Sequence, residues 1–174
     1  ISHIENLGTQ ENILKAKLEI LDGAAYDAPL ILCRDDKLLA GVQLHSDRKV
    51  YYYSVSKKDC DVYASGVKTV DNSITFTINY EGGKIAAQIN CLGEHNVKNA
   101  LAAFCVGLAL DIPHEDIVKG IAQFKPEGLR QNVTVIDGVT YIVDCYNAAP
   151  DSMKASLSVL SQAQAEGKRI CVLG

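Results

Sequence analysis

At 174 residues the chain has the length of one ordinary domain, which bounds the number of domains only softly. It is 48% hydrophobic and 22% charged, enough apolar material for a core and too much for an intrinsically disordered chain. The net charge of -4 gives no electrostatic reason to expect nucleic acid or an anionic membrane as partner, and no apolar run approaches the roughly 20 residues of a spanning helix.

In chain order, the first predicted element is a helix over about 9–21, with Thr9 as its N-cap. Helical periodicity places Ile13, Leu14, Leu18, Ile20 and Leu21 on one face with Lys17 in its middle, while Lys15 and Glu19 fall opposite. Four β-rich runs follow: Leu30–Cys33, Lys49–Val55, Ser73–Tyr80 and Lys84–Asn90. Turn signals at Arg34-Asp35-Asp36, Ser46-Asp47 and Glu81-Gly82-Gly83 separate them. Ile74, Phe76 and Ile78 alternate with Thr75, Thr77 and Asn79, so residues 73–90 read as a hairpin turning at Gly82-Gly83. Val97, Ala100, Leu101, Phe104, Cys105 and Leu108 form a helical stripe over 95–110. A second helix after Pro113 carries Ile117, Val118 and Ile121.

Lys125-Pro126-Glu127-Gly128 is the candidate linker. Strands at Val133–Ile136 and Thr140–Val143 flank an Asp137-Gly138 turn. A helix over 151–166, closed by Gly167, leads to a strand from Arg169, the opening of a parallel α/β unit. The chain starts at Ile1 without a Met and stops just after that strand, so the expectation is a piece of a longer protein. Six dispersed cysteines without a C-x-x-C pair read as reduced, mostly buried thiols of a cytoplasmic protein.

Several residues could carry chemistry. A lysine on an apolar stripe either snorkels its ammonium outward or, if desolvated, has a lowered pKa and an available amine; Lys17 is open to both readings. His3 is a loop residue, read as a surface group or a ligand. His95, Asn96 and Asn99 share one side of a helix start, where Asn either caps the helix or reads the edge of a purine. Arg130 follows the linker, and Asp144 ends a strand, where ligand contacts of α/β sheets gather. No G-x-x-x-x-G-K-[ST] phosphate loop occurs in the 174 residues.

Three clusters in fixed order resemble the Mur ligases, in the branch that joins D-alanyl-D-alanine to a UDP-muramoyl tripeptide. They are Ser2-His3-Ile4-Glu5-Asn6-Leu7-Gly8 with Lys15-Ala16-Lys17-Leu18; Gly93-Glu94-His95-Asn96-Val97-Lys98-Asn99; and Gly128-Leu129-Arg130-Gln131 followed by Asp144-Cys145-Tyr146-Asn147-Ala148-Ala149-Pro150-Asp151-Ser152-Met153. The resemblance implies an α/β fold: the latter part of a P-loop-type central ATP-binding domain with a small antiparallel sheet over 1–127, then the first units of a Rossmann-like domain over 128–174. It implies an ATP-dependent amide-bond ligase of peptidoglycan precursor synthesis working through an acyl phosphate, with this piece inactive alone.

By the same resemblance Lys17 is carbamylated and, with His3, holds Mg2+; Asn96, Asn99 and His95 lie at the nucleotide; Asp144 contacts the ribose or orients the nucleotide; and Arg130 reaches the γ-phosphate of ATP. Tyr146, Asn147 and Ser152 would line the cleft, while Glu5 receives no role. The order Gly-Leu-Arg-Gln shifts the arginine by one position from Gly-Arg-x-Gln, and Ala149 replaces an asparagine common in relatives, so no contact is carried over there. The alternatives are folylpolyglutamate synthase, another Mur ligase, or a non-catalytic binding or assembly module.

Overall fold

The computed structural model describes residues 7–44 and 47–174. Helix α1 (Gln10–Leu18) begins where expected: the Thr9 hydroxyl accepts from the Asn12 N–H at 3.1 Å. The helix breaks at Glu19, and α2 (Ile20–Gly23) follows. The expected apolar face is not a buried one, since neither helix has a buried residue and Ile20 is 69% exposed. Spacing sets which residues share a face; burial also needs a partner, and α1 meets short neighbours, α2 and the single-turn helix α3 (Lys37–Ala40).

That short helix was not anticipated. Asp36 starts it, its carboxylate accepting from Leu38 N at 2.8 Å and Leu39 N at 3.0 Å. It lies between β1 (Leu30–Cys33) and β2 (Val50–Ser54), which pair in parallel from Leu30↔Val50 to Cys33↔Tyr53. Strand β3 (Val62–Val70) was also missed. Its register shifts between Ser65 and Lys68 around Gly66, so side-chain alternation slips and the outer half is exposed. Only Tyr53↔Val62 and Ser54↔Tyr63 pair β2 with β3, so the short loop after Ser54 need not cross the sheet.

Strands β4 (Ser73–Tyr80) and β5 (Gly83–Ile89) complete a mixed sheet of order β1-β2-β3-β4-β5, antiparallel from β3 onward. The β4–β5 turn closes at Tyr80↔Gly83, which places it on Glu81-Gly82, one residue earlier than read. Ile74, Phe76 and Ile78 are buried as the alternation required.

Helices α4 (Glu94–Ala109) and α5 (His114–Gln123) cover one face of this sheet. Val97, Ala100, Leu101, Phe104 and Cys105 of α4 meet Val62, Ile78 and Ile89 in one apolar cluster. At Gly107 a Cβ would lie 2.4 Å from the Ile117 side chain, so the close α4–α5 approach requires glycine there.

Past residues 124–127, β6 (Asn132–Ile136) and β7 (Val139–Val143) form a separate antiparallel hairpin. Asp137 (φ 51) and Gly138 (φ 78) give the two left-handed residues of a type I′ turn. Helix α6 (Pro150–Gln162) stops before the expected 166, and Gly167 does not close it. Residues 169–174 form no strand, and Val172 is 92% exposed. An apolar run becomes a strand only where a ladder partner exists, so the parallel unit expected after α6 is not formed among the described residues.

Of the cysteines, Cys91 and Cys105 are buried, Cys33 and Cys60 half-buried, and Cys145 and Cys171 exposed, so "mostly buried" overstated their shelter. Among the described residues no helix is long and apolar enough to cross a membrane.

Candidate functional site

The polar cluster assembles at the N-terminus of α4. Gly93 caps this helix at φ +95, and a Cβ there would lie 2.5 Å from the His95 ring and 3.2 Å from Val159 of α6. Glycine therefore leaves room for both the His95 imidazole and Val159 of α6 against the turn. Asn96 Nδ2 donates to the Leu92 carbonyl at 2.8 Å and to Gln131 Oε1 at 3.0 Å. Asn99 is exposed, with one long contact of 3.4 Å to Asn96 Oδ1.

Burial pulls the His95 pKa down; the Gln131 side-chain bond and the Asp144 charge push it the other way, and Lys98 adds to the lowering. The net direction favours the neutral ring.

The linker side is tied to the strand end by Cys145 N, which donates to the Leu129 carbonyl at 3.0 Å. This brings the Arg130 guanidinium 4.2 Å from the centre of the exposed Tyr146 ring. The Asp144 carboxylate accepts from the Ser156 hydroxyl. His95, Asn96, Asn99 and Asp144 therefore gather in one place, with the Arg130–Tyr146 pair on the segments tied to it.

Others do not join them. The Ser152 hydroxyl accepts from Ala149 N at 3.1 Å and donates to Ala149 O at 2.8 Å, so it caps α6. Asn147 Oδ1 accepts from Ala148 N at 2.8 Å, a local turn contact. Lys17 is exposed on α1, so burial does not supply the desolvation that its amine chemistry would need. His3 and Glu5 lie outside the described residues. Among the described residues no group of three His, Cys, Asp or Glu side chains is placed to hold a metal ion.

Two surface concavities lie away from this cluster. One of about 580 Å³ is lined by Cys60, Asp61, Tyr63, Asn79 and Lys84. The other, about 700 Å³, runs between Gly66, Lys68 and Lys119. Neither contains a residue of the polar cluster, which is a surface junction whose chemistry comes from convergence of side chains, not from enclosure.

The family model of the Mur ligase middle domain matches residues 1–107. The chain belongs to the Mur ligase family. Over 174 residues, 99% of the chain, it is 36% identical to the UDP-N-acetylmuramoyl-tripeptide–D-alanyl-D-alanine ligase of Bacillus subtilis, of which it covers 37%. It is 29% identical to the UDP-N-acetylmuramate–L-alanine ligase of Chlorobaculum tepidum, over 98% of the chain and 36% of that protein. The fold matches the crystal structure of MurF from Acinetobacter baumannii with a TM-score of 0.85 at 30% identity, over 93% of the chain and 35% of that structure. This Mur ligase chain thus spans little more than a third of the relatives it matches.

Two residues of this Mur ligase chain escaped the sequence reading. Gln131 sat inside a quoted motif without a role, because its partner Asn96 is 35 residues away. Asp35 looked like a turn residue, yet its carboxylate collects Ser54 Oγ (2.5 Å), Ser56 Oγ (2.5 Å), Val55 N (3.0 Å) and Ser56 N (3.3 Å). The signal available for it was the Ser54-x-Ser56 pattern at the end of a strand.

Proposed function

We propose that this chain is part of an ATP-dependent ligase that joins D-alanyl-D-alanine to a UDP-muramoyl tripeptide. The observation that carries the reading is the 36% identity, across 99% of the chain, to the Bacillus subtilis ligase of that name. In this reading residues 1–127 belong to the central ATP-binding domain and residues 128–174 open the C-terminal ligase domain. The work belongs to peptidoglycan precursor synthesis in the cytoplasm. The substrate carboxylate takes the γ-phosphoryl group of ATP, and the amine of the dipeptide displaces phosphate from the acyl phosphate.

Asn99, exposed at the start of α4, reads the adenine edge, while Asn96 acts through its hold on Gln131. Asp144 takes the ribose side, beside the neutral His95 ring. Arg130 is the group that moves. Its contact with Tyr146 is worth about 0.5–1 kcal/mol at an exposed site, against about 1.5–3 kcal/mol for a charge-assisted bond to phosphate. The γ-phosphate therefore outcompetes the ring and draws the guanidinium onto the transferring group.

His3 and a carbamylated Lys17 are proposed for Mg2+ on resemblance alone. An ammonium repels a cation, so Lys17 fits a magnesium site only after carbamylation. The match to the L-alanine ligase keeps another Mur ligase as the second reading. Arg130→Ala in the full-length enzyme tests the site: turnover should fall by about 10²–10³-fold with ATP affinity little changed. Loss of affinity at unchanged turnover would make Arg130 a ground-state clamp.

A further inference from the structure

Gln131 adopts φ 46, in the left-handed region. Among the described residues the other non-glycine positions found there, Asp71, Asp111 and Asp137, are aspartates, whose short polar side chains tolerate it. A glutamine does not share that tolerance, so contacts around it must hold the backbone in place. Those contacts are on its side chain. Oε1 accepts from Asn96 Nδ2 at 3.0 Å, and Asn96 is itself held by donating to the Leu92 carbonyl at 2.8 Å. The residue just before it is Arg130, whose guanidinium lies 4.2 Å over Tyr146.

We propose that Gln131 is a positioning residue: its side chain, anchored on Asn96, locks the left-handed turn that sets where Arg130 points. Its bearing on catalysis rests on the reading of Arg130 as the γ-phosphate ligand. Without the anchor, the backbone at 131 relaxes toward negative φ, and the Arg130 side chain leaves the Tyr146 ring. The bridge also links the start of α4 to the segment beyond the linker, so the arginine is registered against the nucleotide-facing helix rather than left on a free hinge.

The test uses NMR on the 174-residue chain, reading the upfield ring-current shift that Tyr146 imposes on the Arg130 side-chain protons. Gln131→Gly is the informative variant, because glycine adopts φ 46 freely and the fold is not strained by the change. The shift should fall to less than about half in Gln131→Gly and in Asn96→Ala, and the double variant should be no worse than either single one. A shift that persists in Gln131→Gly, or losses that add in the double variant, overturn the lock. In the full-length enzyme, Gln131→Gly should lower kcat about tenfold with KM for ATP changed less than about threefold. A collapsed shift with unchanged kcat would leave the lock standing and overturn the role of Arg130 at the phosphate.

Discussion

Replacing Asp35 by Asn isolates the one densely bonded carboxylate at the ends of β1 and β2. Oδ1 accepts from Ser54 Oγ and Ser56 Oγ, each at 2.5 Å, and Oδ2 accepts from Val55 N at 3.0 Å. An asparagine keeps one oxygen. If that oxygen serves the two hydroxyls, its NH2 group faces the Val55 N–H and leaves a part-buried donor without an acceptor. Such an orphan costs about 1–3 kcal/mol, so a loss of about 2 kcal/mol is expected at pH 7.

The pH dependence provides a second reading of the same bonds. Burial pushes the Asp35 carboxyl up, but the bonds from Ser54, Ser56 and the backbone N–H groups of Val55 and Ser56 together outweigh it and hold the group at about 2 against its ordinary 3.8. A depressed folded-state pKa contributes stability above the unfolded value and loses it as pH falls through the folded one. The full gap corresponds to about 2.5 kcal/mol, and solvent screening of a part-exposed carboxylate reduces that to about 1–1.5 kcal/mol. Urea unfolding of both proteins between pH 7 and pH 2.5 measures it. The stability difference between wild type and Asp35→Asn should hold down to about pH 4 and then narrow toward pH 2. A difference under about 0.3 kcal/mol at pH 7, or one independent of pH, would refute the reasoning.

Phe104 is fully buried against Tyr80, ring centroids 5.3 Å apart, so Phe104→Ala should cost about 3–5 kcal/mol in urea unfolding, and a loss under about 1.5 would mean the α4–sheet contact is not the core. In the full-length enzyme, Lys17→Ala should abolish ligation with partial recovery on adding a short-chain carboxylic acid, whereas unimpaired turnover would remove Lys17 from the mechanism. The 174-residue chain has no phosphate loop in its sequence and so lacks several charge-assisted bonds of about 1.5–3 kcal/mol each. Calorimetry with magnesium and ATP should therefore show no binding tighter than millimolar, and a micromolar dissociation constant would mean the site is misplaced.

What the amino-acid order revealed follows from the range of the interaction involved. The alternation of Ile74, Phe76 and Ile78, the stripe from Val97 to Phe104 and the Asp137-Gly138 turn are local, and each element stands where its residues put it. Gly66 hid β3 by shifting the register mid-strand, and α3 is too short to show any period. The face around Lys17 and the run from Arg169 were misread for a common reason: periodicity cannot supply the partner that burial or a ladder needs.

At the site, the motifs named His95, Asn96, Asn99 and Asp144 at the start of α4, and Arg130, which lies over Tyr146 on the segment beyond the linker. Which atom holds which was not legible. The Asn96–Gln131 bridge and the Arg130–Tyr146 contact depend on how the chain returns over α4, and no spacing rule encodes that.

The pair of substrates separates the branches of the family, and phosphate release from ATP by the full-length enzyme reads it. Release is expected only when a UDP-muramoyl tripeptide and D-alanyl-D-alanine are both present. Release driven by UDP-N-acetylmuramate and L-alanine, with none from the tripeptide pair, would contradict it and move the chain to the L-alanine-adding branch of the family.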